Sequence, residues 1–379
     1  MARIDMVDIV KLYYDRTKLN LRGKEQVVAL DHVSLTVADG ETVSLVGKSG
    51  CGKSTLLRCV AGLEELDGGR VLYDGVDFTG VKPSQRGVGM VFQDYALYPT
   101  RSGQGNLSYF FQVRHKTEQE IDERVKATAE ILGMGFELLL GRLPNTLSGG
   151  EKQRVAIGRC IVRDPSLFLM DEPICNLDAK LRERTRFEVK KLLRRFGVTT
   201  LYVTHDKSEA TFMGDRIVVM RDGRIEQAGT YDEVYYTPHN LYVAAFFSEP
   251  PLCPIEAHLS EDGRSLSVDG CRLDLPDGPR TALAGQSARR ILLGFRADSL
   301  SLAPDGEGLP FTIERYEEVP TLRAIYAFGT LYGKHATVLV DRPGSTGQAR
   351  VRPIWERLIL FSAEDEKALY HPPVQQMEF

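Results

Sequence analysis

Eight consecutive residues, Gly47-Lys48-Ser49-Gly50-Cys51-Gly52-Lys53-Ser54, fit the pattern of a glycine, any four residues, then Gly-Lys-Ser/Thr. Gly50 and Gly52 let backbone N–H groups turn inward around phosphate oxygens, and a helix that follows adds the positive end of its dipole. Lys53 is placed to reach the β- and γ-phosphates, the Ser54 hydroxyl to hold Mg2+, and Thr55 opens the outgoing helix. A glycine-rich turn that only caps a helix is the bland alternative. The flanks argue against it, because an apolar β-rich run (42–46) leads in and a helix-like run (55–58) leads out. The chemistry implied is capture of a nucleoside triphosphate.

Two further stretches add to that chemistry. Leu167-Phe168-Leu169-Met170 reads as a buried strand, and Asp171 and Glu172 emerge at its carboxyl end, followed by Pro173. Asp171 is suited to contact Mg2+ through water, and Glu172 to orient and polarise an attacking water. In isolation such a pair is an ordinary solvated loop; beside a phosphate loop it is a catalytic one. Leu147-Ser148-Gly149-Gly150-Glu151 reads locally as a capping box, Ser148 with Glu151, at a helix start. Its two glycines also permit close approach of backbone donors to an anion.

Positioning these groups takes alternating strands and helices. Residues 7–14 read as a strand ending in Tyr13 and Tyr14, 15–26 as an exposed loop or an irregular hairpin, and 27–37 as strands. A turn at 38–41 leads into the strand before the phosphate loop, and 70–73 and 88–92 are further short strands. Thr117 and Glu120 are spaced as a capping box; 149–162 and 178–196 read as helices, 166–170 and 199–203 as buried strands. Residues 216–220 and 225–227 form a hairpin around Arg221-Asp222-Gly223-Arg224, and Thr230 with Glu233 opens a short helix. The expected fold is α/β: a mostly parallel sheet covered on both faces. After Pro238, prolines interrupt short alternating runs such as 265–268, 290–295 and 337–340, which predicts small all-β modules.

The bulk composition is compatible with this. A chain of 379 residues with a 42% hydrophobic share suggests two or three domains with packed cores. A formal net charge of −4 announces no nucleic-acid partner. No apolar run approaches bilayer-spanning length, and the N-terminus has no hydrophobic signal core. The six cysteines (51, 59, 160, 175, 253 and 271) lack metal-type pairing and read as reduced, mostly buried thiols.

Leu147-Ser148-Gly149-Gly150 followed by Gln153-Arg154-Val155-Ala156, just ahead of the acidic strand, resembles the signature of ATP-binding cassette (ABC) ATPases. The resemblance covers about the first 240 residues in motif order. By it, Tyr13 sits where that family stacks an aromatic on adenine, with Tyr14 a competing candidate. Gln93 matches the glutamine that senses Mg2+ and the attacking water, and Asn176-Leu177-Asp178 the loop that crosses a dimer interface. His205, in Val203-Thr204-His205-Asp206, matches the histidine that hydrogen-bonds the γ-phosphate. The resemblance implies a P-loop cassette with a mixed sheet over 1–240 and a helical subdomain at about 95–165. It further implies an OB-like β domain over 241–379 that adds dimer contacts or regulation. ATP and Mg2+ are the implied cofactors. Two cassettes face head to tail, as a homodimer or with a related ATPase, and ATP lies between one phosphate loop and Ser148, Gly149 and Gly150 of the other.

Gln93 to Pro99 and Asn176 to Arg182 are worded much like sugar-importer ATPases of the maltose and glycerol-3-phosphate type. That likeness implies a peripheral subunit on the cytoplasmic face of the inner membrane. Its partners would be two transmembrane permease subunits and, indirectly, an extracytoplasmic solute-binding protein. Two stretches depart from the family: 15–26 is longer than usual, and 100–106 (Thr-Arg-Ser-Gly-Gln-Gly-Asn) replaces a more apolar segment near the permease-docking surface. Importers of polyamines, metals or anions are the alternatives, and a non-transport ABC ATPase a more distant one.

Overall fold

A computed structural model describes residues 2–20, 23–133, 135–286, 289–303 and 307–373, and for 15–20 and 23–25 the backbone alone. The chain divides into two compact units, Met1–Thr230 and Tyr231–Phe379.

The first unit is built on a six-stranded sheet. Its strands are β3 (Thr42–Val46), β6 (Val88–Val91), β7 (Leu167–Asp171), β8 (Thr199–Val203), β9 (Arg216–Arg221) and β10 (Arg224–Gly229), in the order β10-β9-β3-β8-β7-β6. All pairings are parallel except the β9–β10 hairpin. The near-continuous apolar runs follow from burial on both faces. Leu167 and Leu169 of β7 enter one core with Leu201 and Val203 of β8, while Phe168, Met170 and Tyr202 enter the core on the opposite face. The expected doubly covered sheet is therefore present.

A second sheet, order β2-β1-β4-β5, comprises β1 (Ile4–Asn20), β2 (Gly23–Val37), β4 (Gly68–Tyr73) and β5 (Val76–Asp77). Here the structure corrects the sequence reading. The first strand does not end at Tyr14; its pairing with β2 continues to Leu19↔Lys24 and Asn20↔Gly23 after a register shift beyond Tyr14. The loop alternative for 15–26 gives way to an irregular hairpin, whose Leu21 and Arg22 lie outside the described residues. Tyr13 opposite Val27 and Leu12 opposite Val28 are β-favouring pairs that seed this extension.

Helices pack between and beside these sheets. Helix α1 (Lys53–Ala61) follows β3. Helices α2 (Gly103–Val113), α3 (Glu118–Leu132), α4 (Glu137–Leu140) and α5 (Gly149–Ile161) share a core around Leu107, Ile121, Phe136 and Ile157. The capping boxes at Thr117/Glu120 and Ser148/Glu151 form as the spacing predicted. Helix α6 (Ala179–Phe196) starts one residue late, because Asp178 is its N-cap, and α7 (Lys207–Met213) follows β8.

The second unit opens with α8 (Tyr231–Tyr236) and α9 (Leu241–Phe247), and α10 (Asp277–Leu283) is its remaining α-helix among the described residues. One antiparallel sheet, order β13-β12-β11-β14-β20-β21, joins β11 (Cys253–Leu259), β12 (Ser265–Val268), β13 (Cys271–Asp274), β14 (Arg290–Phe295), β20 (Ile359–Ser362) and β21 (Ala368–Tyr370). The other, order β15-β19-β16-β17-β18, joins β15 (Leu300–Leu302), β16 (Leu309–Val319), β17 (Ala324–Leu331), β18 (Lys334–Val340) and β19 (Gly347–Pro353). Both sheets feed one core through alternating residues such as Ile255, Ile291, Leu293, Phe311 and Val338. An α/β unit followed by a unit whose core is formed by antiparallel sheets is the fold class that the sequence predicted, with three short helices added to the second unit.

Candidate functional site

The phosphate loop bridges buried β3 and α1, so its shape is set by two anchored elements. Gly50 has φ +82 with open space where a Cβ would stand, and Gly52 has φ +104 with a Cβ position 2.5 Å from the Ala29 carbonyl oxygen. Side chains are therefore barred at both, for conformational reasons at the first and for steric ones at the second. Helix α1 has neither a side-chain cap nor an acidic residue in its first turn, which leaves its positive end to an anion. Lys53 is buried and donates from Nζ to the Gly47 carbonyl oxygen at 2.8 Å and that of Lys48 at 3.0 Å, with Cys51 Sγ at 3.7 Å. Lys48, Ser49 and Gly50 are exposed.

Adjacent parallel strands β3, β8 and β7 deliver their carboxyl ends to the same edge. The Ser54 hydroxyl donates to Asp171 Oδ1 at 2.7 Å. Asp171 is 7% exposed, and burial pushes its carboxyl above the usual aspartate range, opposed by the Ser54 hydrogen bond. Two hard oxygen donors so placed fit a small divalent cation such as Mg2+. Glu172 stands in the left-handed region (φ 47), its N–H held by the Val203 carbonyl at 3.0 Å. Its Oε2 lies 3.2 Å from Nδ1 of His205, which follows β8 and is exposed.

The remaining candidates are distributed around this centre. Gln93 is exposed; its carbonyl accepts from Asn176 Nδ2 at 2.9 Å, and its side chain meets the Cys175 thiol. Tyr13 lies beside α1, engaging the Thr55 side chain, while Tyr14 is 55% exposed. Ser148 N–H donates to Glu151 Oε2 at 2.7 Å, so its hydroxyl and that carboxylate close a local cap. Gly149 backs onto Leu177, where a Cβ would lie 2.6 Å from Cδ2, and Gly150 onto Leu181 and Thr185. Asp178 spends its carboxylate capping α6, accepting from Leu181 N–H at 2.9 Å.

A groove of about 720 Å3 opens in the same unit, lined by Leu63, Met90, Phe92, Tyr98, Phe110 and Val113 among others. Arg114 and Arg163 flank the Phe110 ring at 4.0 and 4.2 Å, and Arg159 also lines the groove. No carboxylate lines it among the described residues. Of the divergent segment 100–106, Asn106 lines the groove. Ser102 caps α2, Asn106 bonds the Arg101 and Ser102 carbonyls at 3.0 Å each, and Arg101 lies 4.4 Å over Tyr109.

The family model for ABC transporters matches residues 30–175. The sn-glycerol-3-phosphate import ATP-binding protein of Chromobacterium violaceum is 40% identical over 99% of this chain and 98% of its own. The chain belongs to the ABC transporter family. Two other relatives of this ABC cassette are the xylose/arabinose import ATP-binding protein of Haloferax volcanii (44% identical, 81% of this chain and 78% of that one) and the trehalose/maltose import ATP-binding protein of Thermococcus litoralis (45%, 79% of each). A solved structure of the cassette MJ0796, a dimer in a post-hydrolysis state bound to ADP and Pi, matches with a TM-score of 0.52. It is 30% identical and covers 60% of this chain and 98% of that one. Nucleotide binding and ATP hydrolysis are accordingly the chemistry of this ABC cassette.

Sequence reasoning passed over three residues behind the site. Cys175 touches Gln93, and Thr204 and Glu209 bracket the His205 turn. The Asp206-x-x-Glu209 spacing was a legible signal, since it reads as a helix start immediately after the histidine.

Proposed function

We propose that this chain is the ATP-hydrolysing subunit of an importer for a carbohydrate, polyol or glycerol-phosphate-like solute. The carrying observation is the convergence of Lys53, Ser54, Asp171, Glu172 and His205 at one edge of the sheet, in a chain whose full-length relatives are named as import ATP-binding proteins.

In this reading residues 47–55 cradle the triphosphate and Tyr13 meets adenine. Lys53 exchanges its loop carbonyls for phosphate oxygens. Ser54, Asp171 and Gln93 would hold Mg2+, which would supply charge neutralisation to the triphosphate. Glu172 orients the attacking water and takes its proton, and His205 hydrogen-bonds the γ-phosphate. Ser148, Gly149 and Gly150, which make their intrachain contacts with neighbouring helix and loop residues, are left to serve the ATP of a second cassette. ATP then closes a head-to-tail dimer with an identical or related chain, and loss of the terminal phosphate reopens it.

Two permease subunits are the proposed membrane partners, and the arginine-rimmed apolar groove suits an amphipathic helix carrying carboxylates. No helix among the described residues is long and apolar enough to cross a membrane, in keeping with a peripheral subunit on the cytoplasmic face. The β-rich part of the second unit, from about residue 241 onward, is assigned dimer contacts or regulation. The test is reconstitution with the permease pair and solute-binding protein of the same transport system. Mg-ATP hydrolysis that rises with a glycerol phosphate or a disaccharide supports the reading; hydrolysis indifferent to membrane partners refutes it.

A further inference from the structure

Glu209 is a charged side chain that the mechanism above leaves unused, and it is 3% exposed. Its position in Asp206-x-x-Glu209 would let it fold back as the third residue of a capping box. It turns inward instead. Its Oε1 accepts from the Tyr202 hydroxyl and its Oε2 accepts from the Thr204 hydroxyl at 3.1 Å.

The consequence is felt at residue 205. Thr204 Oγ1, held by Glu209, accepts the Asp206 N–H at 3.0 Å, and the Asp206 carboxylate accepts the Glu209 N–H at 3.0 Å. The Thr204 N–H is tied to the Leu45 carbonyl at 3.2 Å, on the strand that feeds the phosphate loop. Both peptide neighbours of His205 are thereby laced to one buried carboxylate, while the imidazole itself stays exposed, 3.2 Å from Glu172. The buried Tyr202 and Thr204 hydroxyls need an acceptor here, and an apolar side chain would orphan both. Burial pushes the Glu209 carboxyl upward, so the site works against ionisation, and the two hydroxyls oppose that shift.

We propose that Glu209 is a positioning residue for His205: its buried carboxylate, through the Tyr202 and Thr204 hydroxyls, fixes the turn that aims the imidazole at the reacting phosphate. The inference rests on His205 being the γ-phosphate contact. A misplacement of about an ångström at such a group costs up to roughly 100-fold in rate.

The experiment is a double-mutant cycle on the full chain, with single-turnover ATP hydrolysis, KM for ATP and thermal melting measured for Glu209→Gln, Tyr202→Phe, His205→Ala and the two combinations with His205→Ala. Glu209→Gln is expected to lower kcat roughly 10- to 100-fold with KM changed by no more than about twofold. In the His205→Ala background it is expected to change the residual rate by no more than about twofold. Tyr202→Phe, which removes one hydroxyl and leaves the carboxylate, should show the same split in milder form and the same disappearance, and it decides the matter should Glu209→Gln fail to fold. Unchanged kcat in the single variants, or losses that multiply with His205→Ala, would overturn the proposal. If His205→Ala alone turns over normally, the failure lies with the assignment of His205 and not with Glu209.

Discussion

Ser54 and Asp171 stand 117 positions apart in the chain, yet the hydroxyl of one donates to the carboxylate of the other over 2.7 Å. The first residue belongs to a helix start and the second to the end of a neighbouring strand, so the pair exists only when the sheet is correctly ordered. Burial, not the contact, carries a cost: it holds Asp171 above its ordinary range, and the Ser54 hydrogen bond offsets only part of that. A raised folded-state value means that the contribution to stability is present below the unfolded pKa and is lost as pH rises through the folded one. Near neutrality, ionised Asp171 therefore works against the fold. Asp171→Asn, which still accepts from Ser54, is expected to raise the melting temperature at pH 7.5 and to change it least near the unfolded aspartate pKa of about 3.9. The same variant should lose Mg2+-dependent ATPase activity by about 100-fold or more. Melting curves at the two pH values check the first expectation, and a gain confined to acid would contradict it.

Glu172 occupies a left-handed backbone position at the end of β7, with its carboxylate 3.2 Å from His205 Nδ1. Glu172→Gln preserves size and hydrogen bonding but cannot accept a proton. Hydrolysis should fall by about 100-fold or more while ATP affinity is retained. Size-exclusion chromatography with Mg-ATP should then show an accumulating dimer, since nucleotide is bound but not cut. Near-normal turnover would remove Glu172 from the mechanism.

Much of this site was readable beforehand because local chemistry is written locally. The phosphate-loop glycines and the Ser148/Glu151 cap are short-range demands of backbone geometry, and the alternation of Leu167 to Met170 between two cores follows from a strand's period of two. Part of what escaped depended on distant partners. The continuation of β1 to Asn20 is decided by what β2 offers across the hairpin, and polar residues gave no apolar pattern to register. Glu209 was hidden for a different reason: its partners Tyr202 and Thr204 are near in sequence, but Tyr202 reads there only as strand core, and nothing in the spacing shows that its hydroxyl meets the carboxylate.

The groove offers a test of the membrane partnership that leaves the catalytic edge untouched. Arg114 is exposed, sits 4.0 Å over the Phe110 ring and faces a lining without carboxylates among the described residues. If an acidic helix docks there, Arg114→Glu places like charges in apposition, a change worth several kcal/mol, or about 100-fold or more in affinity. ATP binding by the isolated chain should be unaltered, while co-purification with permease and solute uptake should fall. Retention of the permease by this variant at low salt would remove the charge argument for the groove.

Arg296 makes a separate prediction for the second unit. Its guanidinium is 7% exposed, donates to Ser248 Oγ at 3.1 Å and to the Tyr235 carbonyl at 2.7 Å, and lies 4.0 Å over the Tyr235 ring. It thus ties the end of β14 to α8 and to the end of α9, where Ser248 passes the link on to the Ala244 carbonyl at 2.7 Å. Burial lowers its pKa, but no physiological pH discharges an arginine, so the fold carries a full buried charge satisfied by carbonyl, hydroxyl and ring. Arg296→Ala would orphan the Tyr235 carbonyl and open a cavity, at a cost of roughly 2–4 kcal/mol. Arg296→Lys cannot reproduce the fork and should recover only part of that loss. Trp355, the single tryptophan of the chain, packs against the core of this unit, so its fluorescence in urea isolates the relevant transition. The midpoint should drop in the order wild type, Lys, Ala with the slope unchanged, and an Ala variant as resistant as wild type would show that the buried charge is not what holds β14 to its helices.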